Sequence, residues 1–236
     1  MAEYIFDSTS PEVERLAEIC KNSSTIDPRL YTECKVSRGL RAPDGSGVRT
    51  GLTEVADVKA NAVVNGKFTP CPGELYYRGY NVKDIVKDMI GNSRCGFEEV
   101  IYLLLFGELP TDAETKNFND LLGIYRHLPP GFFRDIIMKS PSNDIMNSMA
   151  RSVLTLYAYD PKADDLAFDN VLRQCLWLIA TFPMLAVYSY QAYAYYRSDS
   201  NSFFIHDPIP SLSTAANILH MLRIDSKYTD LEVRVL

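Results

Sequence analysis

Beyond Tyr80 every long apolar pattern in the chain repeats with the period of a helix, which leaves room for little but a helical fold. The stretch GFEEVIYLLLF places Phe97, Val100, Ile101 and Leu104 on one face before Gly107 and Pro110 end it. Asn81 stands where it can cap VKDIVKDMI, and Thr111 with Glu114 predicts a capping box for the next helix. In SNDIMNSMARSVLTLYAY one apolar row runs through Ile145, Met149, Val153 and Leu156. A second runs through Met146, Ala150, Leu154 and Tyr157, making a wide stripe. A long helix is predicted from about Phe168 to Tyr196 with a kink at Pro183, and SLSTAANILHML supplies one more. The final YTDLEVRVL keeps Leu231, Val235 and Leu236 at helical spacing without a glycine, asparagine or proline stop.

Upstream the pattern differs. Ser10 and Pro11 predict a surface helix over Pro11 to Cys20. From Ser37 to Gly79 there are glycines, prolines and short β-prone pieces, and Asn65-Gly66 between two of these is a hairpin signal. The expected fold is all-α, mainly helical, with a small β-hairpin region near the N-terminus and β structure confined to about Val55 to Tyr77. Three regions follow: an N-terminal helical segment (1–36), a small β-containing region (37–80) and a helical region (81–236).

Composition excludes some functions. A net charge of −6 with no basic run argues against a general nucleic-acid binder, because phosphate affinity comes from clustered lysine and arginine. The N-terminus lacks a secretory pattern, and no stretch reads as an uninterrupted apolar span, so no membrane association and a cytoplasmic location are expected. Cys20, Cys34, Cys71, Cys95 and Cys175 are odd in number and scattered without a C-x-x-C pair, which predicts free thiols and no metal site.

Residue chemistry alone reveals no active site. His127 falls in the last turn of its predicted helix, where the dipole favours a cation. His206 reads as a local partner of Asp207, and His220 as a histidine on the rim of an apolar helix. Asp164 and Asp165 are neighbours that point apart and read as the start of a helix. The run VYSYQAYAYYR places Tyr188, Ala192 and Tyr195 on one packing stripe. PDGSGVRTG is too irregular for a phosphate loop and reads as turn glycines.

Taken in order, GLTEVADV, GELYYRGYNVKDIV, FEEVIYLLLFGELPT, SNDIMNSMARSVLTLYAYD, LIATFP and SLSTAANILHML resemble the N-terminal half of citrate synthase from about Ser37 to Leu236. The resemblance implies the first part of a helical large domain in a homodimeric acyltransferase. Such an enzyme condenses acetyl-CoA with oxaloacetate to citrate and free CoA, the entry step of the tricarboxylic acid cycle. That family uses two histidines and an aspartate, and arginines for the substrate carboxylates. Its first histidine motif comes shortly after the helix that begins here at YTDLEVRVL, so the segment alone is expected to be inactive. His127, His206 and His220 match none of the catalytic positions. Arg49 in GVRTGL is the counterpart of an arginine that contacts the CoA phosphates, and pairing with a nearby carboxylate is the other role open to it. Arg78 of YYRGY also fits the pattern and reads as a structural ion-pair residue. Where many bacterial relatives carry a histidine-proline pair this chain has SPSND. Two other readings remain: a 2-methylcitrate synthase taking propionyl-CoA, and a non-catalytic helical protein using the half-fold for binding or assembly.

Overall fold

The computed structural model describes residues 27–34, 54–197 and 203–236. The chain divides into two compact units, Met1–Leu52 and Thr53–Leu236. In the first, helix α1 (Pro28–Glu33) starts on Asp27, whose carboxylate accepts from the Arg29 N–H at 2.9 Å, with Pro28 on the first turn. The helix expected over Pro11 to Cys20 lies outside the described residues.

The second unit opens with an antiparallel sheet in the order β1 (Ala56–Val64), β2 (Lys67–Tyr77), β3 (Tyr80–Asn81). Asn65 and Gly66 take positive φ values of 51° and 75° and close the expected two-residue hairpin, pairing Val64 with Lys67. The ladder breaks between Lys59 and Asn61, opposite the stretch from Pro70 to Glu74, where Pro70 and Pro72 lack the N–H a ladder needs. A second two-residue turn, Arg78-Gly79, joins β2 to β3 and escaped the sequence reading. Arg78 is structural, but not through an ion pair. Its Nε and Nη2 donate to the Leu104 carbonyl at 3.2 and 2.9 Å, serving a helix-end carbonyl that has no partner within its own helix.

Helices follow. Asn81 caps α2 (Val82–Gly91) through Lys83 N at 2.9 Å, and Ile85 and Met89 face inward. Helix α3 (Phe97–Phe106) ends at Gly107, whose φ of 90° a side chain would resist. Its inward face differs from the predicted one: Phe97 is exposed, while Glu98, Glu99, Ile101 and Leu103 are buried. Helix α4 (Asp112–Tyr125) carries both halves of the Thr111/Glu114 capping box. A π-helical turn (Phe133–Met138) precedes α5 (Ile145–Leu156), and α6 (Phe168–Arg197), α7 (Thr214–Leu222) and α8 (Asp230–Val235) complete the unit.

Helix α6 organises the core. Leu176 and Ala180 on its first half pack with Ile101, Phe118 and Leu122 of α3 and α4. Met184, Leu185, Tyr188 and Ala192 further along pack with Phe132, Ile137, Leu156 and Met221. Contact with helices on several sides explains why α6 is apolar nearly all round. By length and composition it is the one helix among the described residues able to cross a membrane, with a mean hydropathy of 1.5 over its most apolar window. That corrects the expectation that no such stretch exists; the helix packs against α4, α5 and α7. The helix runs unbroken through Pro183. Mainly helical structure with a small sheet is what the sequence predicted.

Candidate functional site

The histidines come first because acid-base chemistry would start there. Helix α4 ends at Tyr125, so His127 lies just beyond it rather than in its last turn, with Nδ1 at 2.9 Å from the Ile124 carbonyl. The His127 carbonyl accepts from Trp177 Nε1 at 3.3 Å. His206 does not pair with Asp207. Its Nε2 stands 3.1 Å from the Ile224 carbonyl, because the irregular 203–208 segment runs beside the end of α7, and its ring centre is 5.5 Å from that of His220. All three serve local structure. Arg49 lies outside the described residues, and Cys34, Cys71, Cys95 and Cys175 are free thiols.

The other singled-out groups also have structural partners. Asp164 accepts from the Tyr157 hydroxyl at 2.8 Å, and Asp165 from Ala167 N at 2.9 Å, closing the turn that enters α6. Tyr188 and Ala192 are buried, and Tyr188 packs edge-on against Phe133 at 5.1 Å, as a packing stripe requires.

The best-organised polar site was not anticipated. Glu98 and Arg126 lie inside the protein, with Arg126 Nη2 at 3.8 Å from Glu98 Oε1. The same carboxylate oxygen accepts from the Thr214 N–H at 2.6 Å, one of the orphan donors at the start of α7. Arg126 donates to the Leu212 carbonyl at 2.6 Å and to the Thr214 hydroxyl at 3.0 Å. Burial pulls the arginine below its ordinary range, and Glu98 works against that pull. Asn217 ties the same loop from the other side, accepting from Ile209 N at 2.8 Å and donating to its carbonyl at 3.0 Å. Gly123 leaves room for all this: a Cβ there would meet the Pro210 carbonyl oxygen at 2.6 Å. This knot positions α7 and the loop before it. No local pattern in the sequence marked Glu98, whose partner Thr214 lies 116 residues further along the chain.

Next to the knot, the segment from Arg126 to Arg134 encloses a cavity of about 470 Å³ with Met184, Tyr188, Ile205 and Asp207. Its floor is aromatic and apolar. The Tyr188 hydroxyl donates to the His206 carbonyl at 3.2 Å, and burial, then the charge of Asp207, pushes its ionisation upward. The walls come from three separated stretches of chain, so no local pattern could announce them.

Helix α5 offers a surface instead of a pocket. Leu156, Ser148 and Ser152 are buried, and Ile145, Met149 and Val153 are half-buried. The second predicted row is open: Met146 is 71% exposed, Leu154 76% and Tyr157 57%, with Ala150 exposed between them. Solvated side chains of this size along one helix form an apolar strip of the kind that contact surfaces use.

A family profile described as "Citrate synthase, C-terminal domain" matches residues 44–236, most of the chain. The chain belongs to the citrate synthase family. Among curated relatives, 2-methylcitrate synthase 1 of Corynebacterium glutamicum is 34% identical over 59% of this chain and 34% of its own length. Citrate synthase of Haloferax volcanii is 32% identical over 64% of this chain and 37% of its own. The chain thus spans about a third of the length of the curated relatives it matches. Among solved structures, citrate synthase from Thermoplasma acidophilum, in ternary complex with carboxymethyl coenzyme A and oxaloacetate, superposes with a TM-score of 0.61 at 21% identity. It covers 79% of this chain and 43% of the other. That likeness establishes the shared fold.

Proposed function

We propose that this chain supplies the first part of the large domain of a condensing acyltransferase that joins acetyl-CoA to oxaloacetate and releases citrate and CoA. The observation that carries the reading is the family match over residues 44–236, supported by a helical fold shared with citrate synthases of known structure. In such a reaction the acetyl methyl loses a proton and attacks the oxaloacetate carbonyl. Water then cleaves the thioester, and CoA leaves as the thiol. His127, His206 and His220 match none of the family's catalytic positions, so we read the chain's own part in the reaction as building the scaffold. Arg49 would contact the CoA phosphates, and the working location would be the cytoplasm.

A second reading, 2-methylcitrate synthase with propionyl-CoA as the acyl donor, is favoured by the C. glutamicum relative. The acceptors are alike, and one methylene changes pocket affinity by only about 1–3 kcal/mol. Thiol release with oxaloacetate and either acyl-CoA tests both readings. It should be followed for the chain alone and for a chimera in which the chain replaces the matching segment of the H. volcanii enzyme. The chain alone should stay at the protein-free rate and the chimera should turn over, while the acyl-CoA preferred by a full-length protein carrying this chain chooses between the readings. Turnover by the chain alone would place the reacting groups within it. A folded but silent chimera would favour the non-catalytic alternative.

The open row of α5 supports self-association through the segment from Asn143 to Tyr159, consistent with a homodimer. At micromolar concentration, sedimentation velocity should show a dimer or larger species. Leu154→Lys should shift it to monomer, since a charge on a buried apolar contact is left without a partner. A monomeric parent chain, or a variant that associates as before, would refute this interface.

A further inference from the structure

His206 and His220 come together from two different stretches of chain. His206 lies in the irregular 203–208 segment and His220 in the last turn of α7, and their ring planes are tilted by 47°. Both residues are half-buried. The Ile224 carbonyl can only accept, so the His206 Nε2 that stands 3.1 Å from it carries the ring proton. In the neutral ring this leaves Nδ1 with its lone pair. A ring N–H fixed on a backbone carbonyl in this way is the usual support of a metal-bound histidine.

His220 supplies the second nitrogen. Among the described residues no hydrogen bond reaches its ring, and none joins the two imidazoles. The buried polar atoms left without a partner belong to Arg94, Asn119 and Ser189, so the His220 nitrogens are open to solvent and to a small ion. The end of α7 itself favours positive charge, because its last carbonyls point there. Arg223, the side chain that could serve them, is turned to Glu232 and to the Lys227 carbonyl.

We propose that His206 and His220 bind a divalent late transition-metal ion of the zinc and nickel type, with His206 ligating through Nδ1. With a metal–nitrogen bond of about 2.0–2.1 Å each ring centre stands roughly 3.2 Å from the ion, so two rings near the tetrahedral angle have centres about 5.2 Å apart. The observed separation of 5.5 Å asks for an angle only slightly wider. Imidazole suits these ions, and with no third histidine, cysteine or carboxylate converging among the described residues, water would fill the other positions. The scattered cysteines predict no metal site of their own, and the histidine pair is independent of them. A bound ion would fasten the 203–208 segment to α7, and with it Ile205 and Asp207 on the wall of the cavity of about 470 Å³.

Calorimetric titration of the full chain with nickel chloride tests this. Saturable binding of one ion per chain is expected, with a rise in melting temperature as the ion binds the folded state. His220→Phe keeps a ring in the packing but removes a ligand, and should weaken binding about tenfold or more and abolish the rise. His127→Phe, at an exposed histidine, should bind as the parent does. Should His220→Phe fail to fold, the parent chain alone decides: added nickel should broaden the imidazole NMR signals of His206 and His220 before that of His127. The proposal fails if the parent shows no saturable binding, if folded His220→Phe binds as tightly, if His127→Phe loses the site, or if the His127 signal broadens first.

Discussion

Glu98 faces the junction of α3, α4 and α7, and Glu99 faces a cavity beside α2. Both carboxylates leave water on the same helical turn, each with one arginine near it. At the junction Glu98 accepts from the Thr214 N–H, and Arg126 donates to two backbone carbonyls and a hydroxyl. Beside the cavity, Glu99 has one ion-pair partner at 3.5 Å and Arg94 keeps an unpaired Nε. The difference is one of what surrounds the pair. Two helix ends and a loop converge on Glu98 and bring backbone donors and acceptors with them, whereas Glu99 meets the side chain of Arg94, which also pairs with Asp88. Burying a charge is tolerable where the neighbouring backbone completes its hydrogen bonds, and it costs more where the backbone does not.

The largest effect should come from breaking the complete site. Arg126→Met removes the cation from Glu98, takes its donor from the Thr214 hydroxyl and leaves the Leu212 carbonyl only the Asn217 amide as donor. A loss of about 3–5 kcal/mol is expected, as for other buried pairs cut on one side. Urea unfolding followed by circular dichroism would show it as a lower midpoint. Adding Glu98→Gln should return part of the loss, because the amide no longer needs a cation. A single variant as stable as the parent would mean that the junction is held by apolar packing alone.

A smaller effect tests whether the loop's close approach matters as much as its hydrogen bonds. Gly123→Ala drives a methyl against the Pro210 carbonyl oxygen, which is backbone and has little room to yield. About 1–3 kcal/mol of destabilisation is expected from such overpacking, visible in the same urea titration. If the loss equals that of Arg126→Met, the approach of the 208–213 loop is the whole of the junction's stability.

What the sequence could show follows from how far apart the interacting residues lie. The Asn65-Gly66 turn, the Asn81 cap and the Thr111/Glu114 box were legible because each is settled within a few residues of chain. The two rows of α5 were legible too, though not which of them faces solvent, since that depends on where the π-helical turn and α6 lie. The junction joins Glu98 to Thr214 across more than a hundred residues, and nothing local distinguishes Glu98 from the surface acids expected in a first helical turn. Arg78 was misread for a related reason: its partner is a backbone carbonyl, and carbonyls leave no trace in a list of side chains. The family resemblance was carried by ordered motifs, and these predicted the fold better than any site. Arg49, the one residue they pointed to for CoA, lies outside the described residues.

The smallest expected effect separates the two glutamates by pH. Glu99 binds its proton more tightly in the folded chain than in the unfolded one, because burial raises its carboxyl and Arg94 only partly offsets this. By linkage, its contribution to stability is fully present below the unfolded carboxylate pKa and is lost as the pH rises through the higher folded value. Glu99→Gln has no such titration. The stability gap between parent and Glu99→Gln should therefore move in the parent's favour as the pH falls from neutral into the ordinary carboxylate range. Thermal melts at a series of pH values in that interval measure the gap directly. A gap that is flat with pH would mean that Arg94 fully compensates the burial, and that Glu99 is as settled as its neighbour. A gap moving the opposite way would mean that the ion pair dominates and that the carboxyl is held down.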